Sequence, residues 1–181
     1  MTRTLHLGCG EAKREGAIGV DMNPASQADV ICDLDMCNYP FADDQFDLIV
    51  CEHVLEHLEN VIHAMEEIHR VGRPGARVWV QVPHFSSVYY YRDPTHKHPF
   101  SLHTFDYFIE GTPVRQFHYS KAEFRLLRAE FPPPRNAGIL KRMAFAVINR
   151  HKDGYEKHLS FLLPRHSLEF ELEIIKNAYR P

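Results

Sequence analysis

No apolar run in the 181-residue sequence approaches the roughly 20 residues of a membrane-spanning helix. Nor does a basic stretch with an apolar core open the chain, so a cytoplasmic protein with no integral membrane segment is expected. Neither sign of charge is in surplus. The 21 Lys and Arg face 24 Asp and Glu, and a net charge of −3 gives no electrostatic footprint for nucleic acid. The four cysteines, Cys9, Cys32, Cys37 and Cys51, contain no C-x-x-C pair, which argues for small buried thiols kept reduced. Repeats, linkers and low-complexity tracts are missing too. With 44% apolar and 25% charged residues, residues 1–181 read as one globular domain.

Glycine is scarce, only nine residues, so its clustering at the start is informative. The stretch Thr4–Met22 reads T-L-H-L-G-C-G-E-A-K-R-E-G-A-I-G-V-D-M. A short apolar run, Thr4 to Leu7, predicts a buried strand ending in Gly8-Cys9-Gly10. A second, Ala17 to Val20, ends in Asp21. Strand, glycine turn, strand and acid form the grammar of a nucleotide-type site at the carboxyl ends of a parallel sheet. Glycines let backbone approach a ligand, and a carboxylate accepts both hydrogens of a ribose diol. A dinucleotide fingerprint requires a third glycine where Lys13 stands, which disfavours an NAD-binding oxidoreductase.

Further motifs follow in order. Pro40-Phe41-Ala42-Asp43-Asp44-Gln45-Phe46-Asp47 precedes an apolar strand, Val54-Leu55-Glu56-His57 opens a helical pattern, and Arg73-Pro74-Gly75 precedes another strand. Together with Gly-Cys-Gly and its downstream acid, these resemble the class I S-adenosylmethionine-dependent methyltransferases, in particular the small type-11-like bacterial subset. The resemblance implies an α/β fold, a doubly wound, mostly parallel seven-stranded Rossmann-like sheet. The short gap from Gly10 to Asp21 implies a stunted or missing first helix. The resemblance also implies S-adenosylmethionine as cofactor, approached by the backbone of Gly8, Cys9 and Gly10. Asp21 would hold the ribose and Met22 would pack on the adenine. Asp33 and Leu34 would meet the adenine edge, with Asp35 as the alternative acid, while Cys51, Glu52 and His53 would line the methionine side.

Along the rest of the chain, Asp29–Cys32 and Phe46–Val50 predict a third and fourth strand. Apolar residues at three- and four-residue steps from Leu55 to Val71 predict an amphipathic helix, or a short turn leading into one, stopped by Gly72 and Pro74-Gly75. Alternating Val78, Val80 and Val82 give a fifth strand. Ser101–Ile109 predicts a helix capped by Ser101, and Glu123–Phe131 a sixth strand stopped by Pro132-Pro133-Pro134. Leu168, Phe170, Leu172 and Ile174 alternate with glutamates, as in an antiparallel C-terminal strand with one wet face. Residues 132–166 read as a basic amphipathic helical cover. Such a hairpin fits peripheral membrane contact or a homodimer, but the simpler expectation is that it covers one sheet face and shows its charges to water.

Residues 84–120 hold an unusual density of aromatics and histidines, among them Tyr89-Tyr90-Tyr91 and Asp93-Pro94-Thr95-His96-Lys97-His98. In the resembled fold this segment lies over the methyl donor, so it is the candidate pocket for a small-molecule acceptor. If the acceptor is a hydroxyl, a base is needed. His96 is the candidate, with Asp93 three residues earlier to orient it. The reaction expected is methyl transfer to a small molecule at oxygen. The rivals are a catalytically silent cofactor-binding regulatory domain and a metal hydrolase built on His96, His98 and His103. That last histidine set is a poor ligand pattern, and no metal is expected.

Overall fold

The computed structural model describes residues 2–36 and 38–176, so Cys37 lies outside the described residues. The short apolar runs, too brief for helices, become strands: β1 (Thr4–Leu7), β2 (Ala17–Asp21), β3 (Val30–Ile31), β4 (Phe46–Glu52), β5 (Gly72–Pro83), β6 (Phe124–Glu130) and β7 (Ser167–Ile174). They form one sheet in the order β3-β2-β1-β4-β5-β7-β6. β1 to β5 are parallel, and β7 inserts antiparallel to both β5 and β6. The strand order turns outward on either side of β1, which places a crevice outside the carboxyl ends of β1 and β4.

One face of this sheet carries the core. Val78, Val80 and Val82 of β5 and the four apolar residues of β7 are fully or almost fully buried on it. Helix α1 (Val61–Val71) lays Ala64, Met65, Ile68 and Val71 against them, each with no exposed surface. Its first turn is closed by Asn60, whose Oδ1 accepts from the His63 N–H at 3.0 Å. Its end is fixed by Gly72, where a Cβ would sit 2.2 Å from the Ile174 side chain. Glu67 is also buried, satisfied by Arg70 through both carboxylate oxygens (2.8 and 2.7 Å) and by the Tyr39 N–H. Arg70 reaches on to the carbonyls of Tyr39 and Phe41 and to Asp43, fastening the loop before β4 onto the helix.

The other face is largely open. No helix forms between β1 and β2, as the short gap predicts, and none between β2 and β3. The segment after Gly10 covers β1 instead, with the Arg14 N–H donating to buried His6. The Arg14 guanidinium stacks 4.4 Å from the centre of Trp79. A cavity of about 720 Å³ lies on this face, lined by Arg14, Glu52, Trp79, Gln81, Glu169 and the Pro132–Pro134 turn.

Three expectations need correction. Ser101 does not cap a helix over 101–109; a 3-10 turn forms at Thr104–Phe108 instead. Phe105 and Phe108 are both buried, and the three residues per turn of the 3-10 form stack them on one side. The helical cover expected over residues 132–166 is not continuous: its second helix, α4, spans only Lys152–His158. Most consequential is α3 (Ile139–Arg150), which buries only Phe145. Its Ile139 and Leu140 are 79% and 85% exposed, so the basic hairpin shows water its apolar residues as well as its charges. The cavity beside α3 on the open sheet face is lined by Trp79, Gln81 and Glu169 and leaves Ile139 and Leu140 uncovered. A further helix, α2 (Val88–Arg92), carries the three tyrosines and is capped by Ser87, which accepts from the Tyr89 N–H.

Candidate active site

β1 ends in two glycines with left-handed backbone, φ +61° at Gly8 and +49° at Gly10. At Gly8 a side chain is excluded twice, since a Cβ would also lie 2.4 Å from Val54. The turn is held by Asp21, whose Oδ2 accepts from the Gly10 N–H and Oδ1 from the Asn23 N–H, both at 2.8 Å. Each oxygen keeps a second lone pair for a ligand. Beside this turn lies a crevice of about 430 Å³ lined by Gly8, Asp21, Met22, Cys32–Met36, His53, Val54, His57, Leu58, Glu59 and Lys97. The Asp35 carboxylate is occupied by the Glu59 and Asn60 N–H groups and ties the crevice rim to the start of α1. Asp33 Oδ1 accepts the Asp35 N–H at 3.0 Å in the turn itself.

The crevice thus gathers Gly8, Asp21, Met22, Asp33, Leu34 and His53 of the expected residues, with Cys9 and Gly10 forming the turn behind it. Two expected residues lie elsewhere. Strand alternation sends the Cys51 side chain into the core, fully buried, where burial pushes its thiol pKa up. Glu52 faces the open side of the sheet, 3.6 Å from Arg14. Neither side chain lines the crevice.

A second cavity, about 480 Å³, adjoins the first and shares His53 and His57 with it. Its other walls are Glu56, Tyr89, Arg92, Asp93, Pro94 and His96. His53, immediately after β4, has φ +53°, a strained conformation for a histidine and one that clusters at functional sites. Its Nδ1 lies 3.1 Å from Glu56 Oε1, and this hydrogen bond, opposed by partial burial, raises the imidazole pKa. His96 stacks on Tyr90 and meets His57 edge-on at 4.7 Å. Its Nδ1 can only donate to the Tyr90 carbonyl, at 2.9 Å, so Nε2 carries the lone pair in the neutral ring. That carbonyl orients the ring. Asp93 stands 3.9 Å from Nε2, and its Oδ1 is engaged by Thr95.

Three other histidines of the 84–120 segment have structural partners: His84 bridges Ser86 and Glu156, His98 meets the Glu59 carbonyl, and His103 pairs with Asp106 and Asp153. What sequence reasoning missed are Glu56 and His57. The V-L-E-H motif placed them at a helix start, and only their position opposite His96, thirty-nine residues from His57 in sequence, shows them as pocket walls.

A glycine turn and an acid stand at adjacent strand ends of a Rossmann-like sheet whose seventh strand is antiparallel. Residues 5–80 match the family model described as a methyltransferase domain. Among solved structures, the chain is similar to a SAM-dependent methyltransferase from Archaeoglobus fulgidus, with 18% identity over 95% of this chain and 86% of that one and a TM-score of 0.58. It is also similar to the YcgJ protein from Bacillus subtilis, at 17% identity over 97% and 92% of the two chains and a TM-score of 0.59. The [4+2]-cyclase SpnF shares the fold as well, at 16% identity over 96% and 75% and a TM-score of 0.59. A search of curated proteins returns no match. The family match covers residues 5–80, and the fold of the whole chain is the one these solved structures share.

Proposed function

We propose that the chain is a single-domain cytosolic enzyme that transfers the methyl group of S-adenosylmethionine to a hydroxyl oxygen of a small molecule. The observation that carries this reading is the shared wall: His53 and His57 border both the glycine-turn crevice and the histidine-rich second cavity. A donor in the first is thereby set against an acceptor in the second. In this reading Asp21 clasps the ribose, Met22 and Leu34 flank the adenine, and Asp33 takes its edge. The sulfonium end lies toward His53. Transfer is an in-line displacement, in which holding acceptor, methyl and sulfur aligned supplies several kcal/mol of the rate enhancement. An imidazole removes the acceptor proton as the oxygen–carbon bond forms. His96, with Nε2 bare of protons when neutral, and His53, held by Glu56, both border the acceptor cavity.

Asp21→Ala should weaken cofactor binding by about 1.5–3 kcal/mol, roughly 10- to 150-fold, in calorimetry. Unchanged affinity would remove the ribose assignment. Acceptor-pool screening with a labelled methyl group should give a labelled ether. Cofactor binding without transfer to any pool would instead establish a silent binding domain, and the fold shared with a cyclase makes that control necessary.

The exposed α3 face is assigned a peripheral role in the same scheme, docking on an anionic membrane surface. Ile139, Leu140 and Met143 are exposed beside exposed Lys141 and Arg142, and exposed Phe161 and Leu162 follow on the 159–163 turn. Apolar side chains ringed by basic ones match an anionic lipid headgroup layer in charge. Among the described residues no helix is long and apolar enough to cross a membrane. Co-sedimentation with phosphatidylserine-containing vesicles, and not with neutral ones, is the expected result. A concentration-dependent dimer without vesicle binding would assign the face to a second copy.

A further inference from the structure

We infer that Glu56, His57 and His96 bind one divalent transition-metal ion of the Zn²⁺ class, and that this ion holds the acceptor oxygen. The second clause rests on the methyl-transfer reading; the ion site itself does not. Three observations converge. One carboxylate oxygen and one ring nitrogen from each histidine lie within 4.8 Å of one another. Two ligand atoms at about 2.1 Å from a tetrahedral zinc lie about 3.4 Å apart, so the trio closes by at most about 1.4 Å on loading.

The second observation is an orphaned acceptor. Glu56 has no exposed surface, its Oε1 meets His53, and its Oε2 has no hydrogen-bond partner among the described residues. A buried carboxylate oxygen without a partner is costly, and a cation at that position satisfies it.

The third is the outer shell. Thr95 Oγ1 spends its hydrogen on Asp93 at 2.7 Å, so it accepts from His57 Nδ1 at 2.8 Å. The Tyr90 carbonyl accepts from His96 Nδ1. Both rings therefore keep their lone pair on Nε2, the tautomer and the supporting bond that metal-bound histidines use. The pattern gives Asp93 a task too, orienting His57 through Thr95. Two histidines and a carboxylate leave coordination positions open for a substrate oxygen.

Loading changes the division of labour. His96 becomes a ligand in place of a base, and the ion acidifies the bound hydroxyl. The hydroxyl proton passes to His53 Nε2. The oxygen's electron pair forms the new bond to the methyl carbon, and the carbon–sulfur pair returns to sulfur as the neutral thioether.

The test uses full-length protein stripped with a chelator, titrated with Co²⁺ and with Zn²⁺ alone, without cofactor or acceptor. The expected result is one equivalent bound with visible cobalt absorption, and at least a 30-fold loss of affinity in His57→Ala, His96→Ala and Glu56→Gln. Circular dichroism identifies any variant that fails to fold, and His96→Gln then serves in its place. An equivalent that survives in the folded His96 variants, or no binding below millimolar metal, overturns the site. Titration of S-adenosylmethionine into the stripped wild type reports on the methyltransferase reading separately.

Discussion

Helices α1 and α3 carry the same apolar periodicity and meet opposite fates. In α1 the apolar positions Met65, Ile68 and Val71 have no exposed surface, whereas in α3 Ile139, Leu140, Met143 and Val147 are each at least 60% exposed. What separates them is the surface they meet. α1 crosses between two parallel strands and lands on the valines of β5 and the apolar edge of β7. α3 follows the last-but-one strand and stands beside a sheet face where Arg14 already stacks on Trp79 and where Gln81 and Glu169 also stand. A 3.6-residue pattern announces that a helix has an apolar side; the topology decides whether the protein itself covers that side.

Breaking α1 should therefore have the largest effect. Met65→Ala removes a fully buried side chain from the middle of the core and should cost about 2–5 kcal/mol, read as a lower urea midpoint at unchanged m-value. A cost under about 1 kcal/mol would mean that α1 is no better packed than α3.

This contrast also marks what the sequence made legible. The strands and glycine turn were readable because each is local: an apolar run, a residue that must adopt positive φ at Gly8, an acid at the next strand end. The antiparallel β7 was readable from strict alternation with Glu169, Glu171 and Glu173. The acceptor wall was only half readable. His96 stood out within its motif, but the Glu56–His57 side comes from a different segment, and its meaning depends on a three-dimensional juxtaposition. The exposure of α3 was unreadable for a related reason. It depends on which residues the neighbouring sheet face presents, here Trp79 under Arg14 together with Gln81, and periodicity carries no information about a neighbour.

A smaller effect sharpens the comparison electrostatically. α1 fastens a loop through the buried charge of Glu67, whereas α3 holds Phe131 through the neutral Asn149 amide. Burial opposes the Glu67 charge, but the hydrogen bonds from Arg70 and the Tyr39 N–H outweigh it and hold its pKa below the usual carboxylate value. A depressed folded pKa contributes stability that is present above the unfolded value and lost as pH falls through the folded one. Glu67→Gln should cost about 1.5–3 kcal/mol at pH 7, with the gap from wild type narrowing below about pH 4. A gap that stays constant down to pH 3 would show that the ion pair contributes nothing beyond shape.

The smallest folding effect belongs to α3. Leu140 is 85% exposed, so Leu140→Ser removes almost no buried surface and should change stability by less than about 0.5 kcal/mol. Its effect should fall on association instead. If the face docks on anionic lipid, losing one inserted leucine removes on the order of 1–2 kcal/mol of apolar transfer, a 5- to 30-fold weaker vesicle partition at unchanged melting temperature. Lys141→Glu should weaken the same partition and reduce its salt dependence, because it removes a charge facing the headgroups without touching apolar area. Loss of stability in Leu140→Ser would show that the leucine is covered by the protein itself in solution, and the distinction between the two helices would disappear. A stable variant with undiminished partition would keep that distinction and transfer the membrane role to another surface.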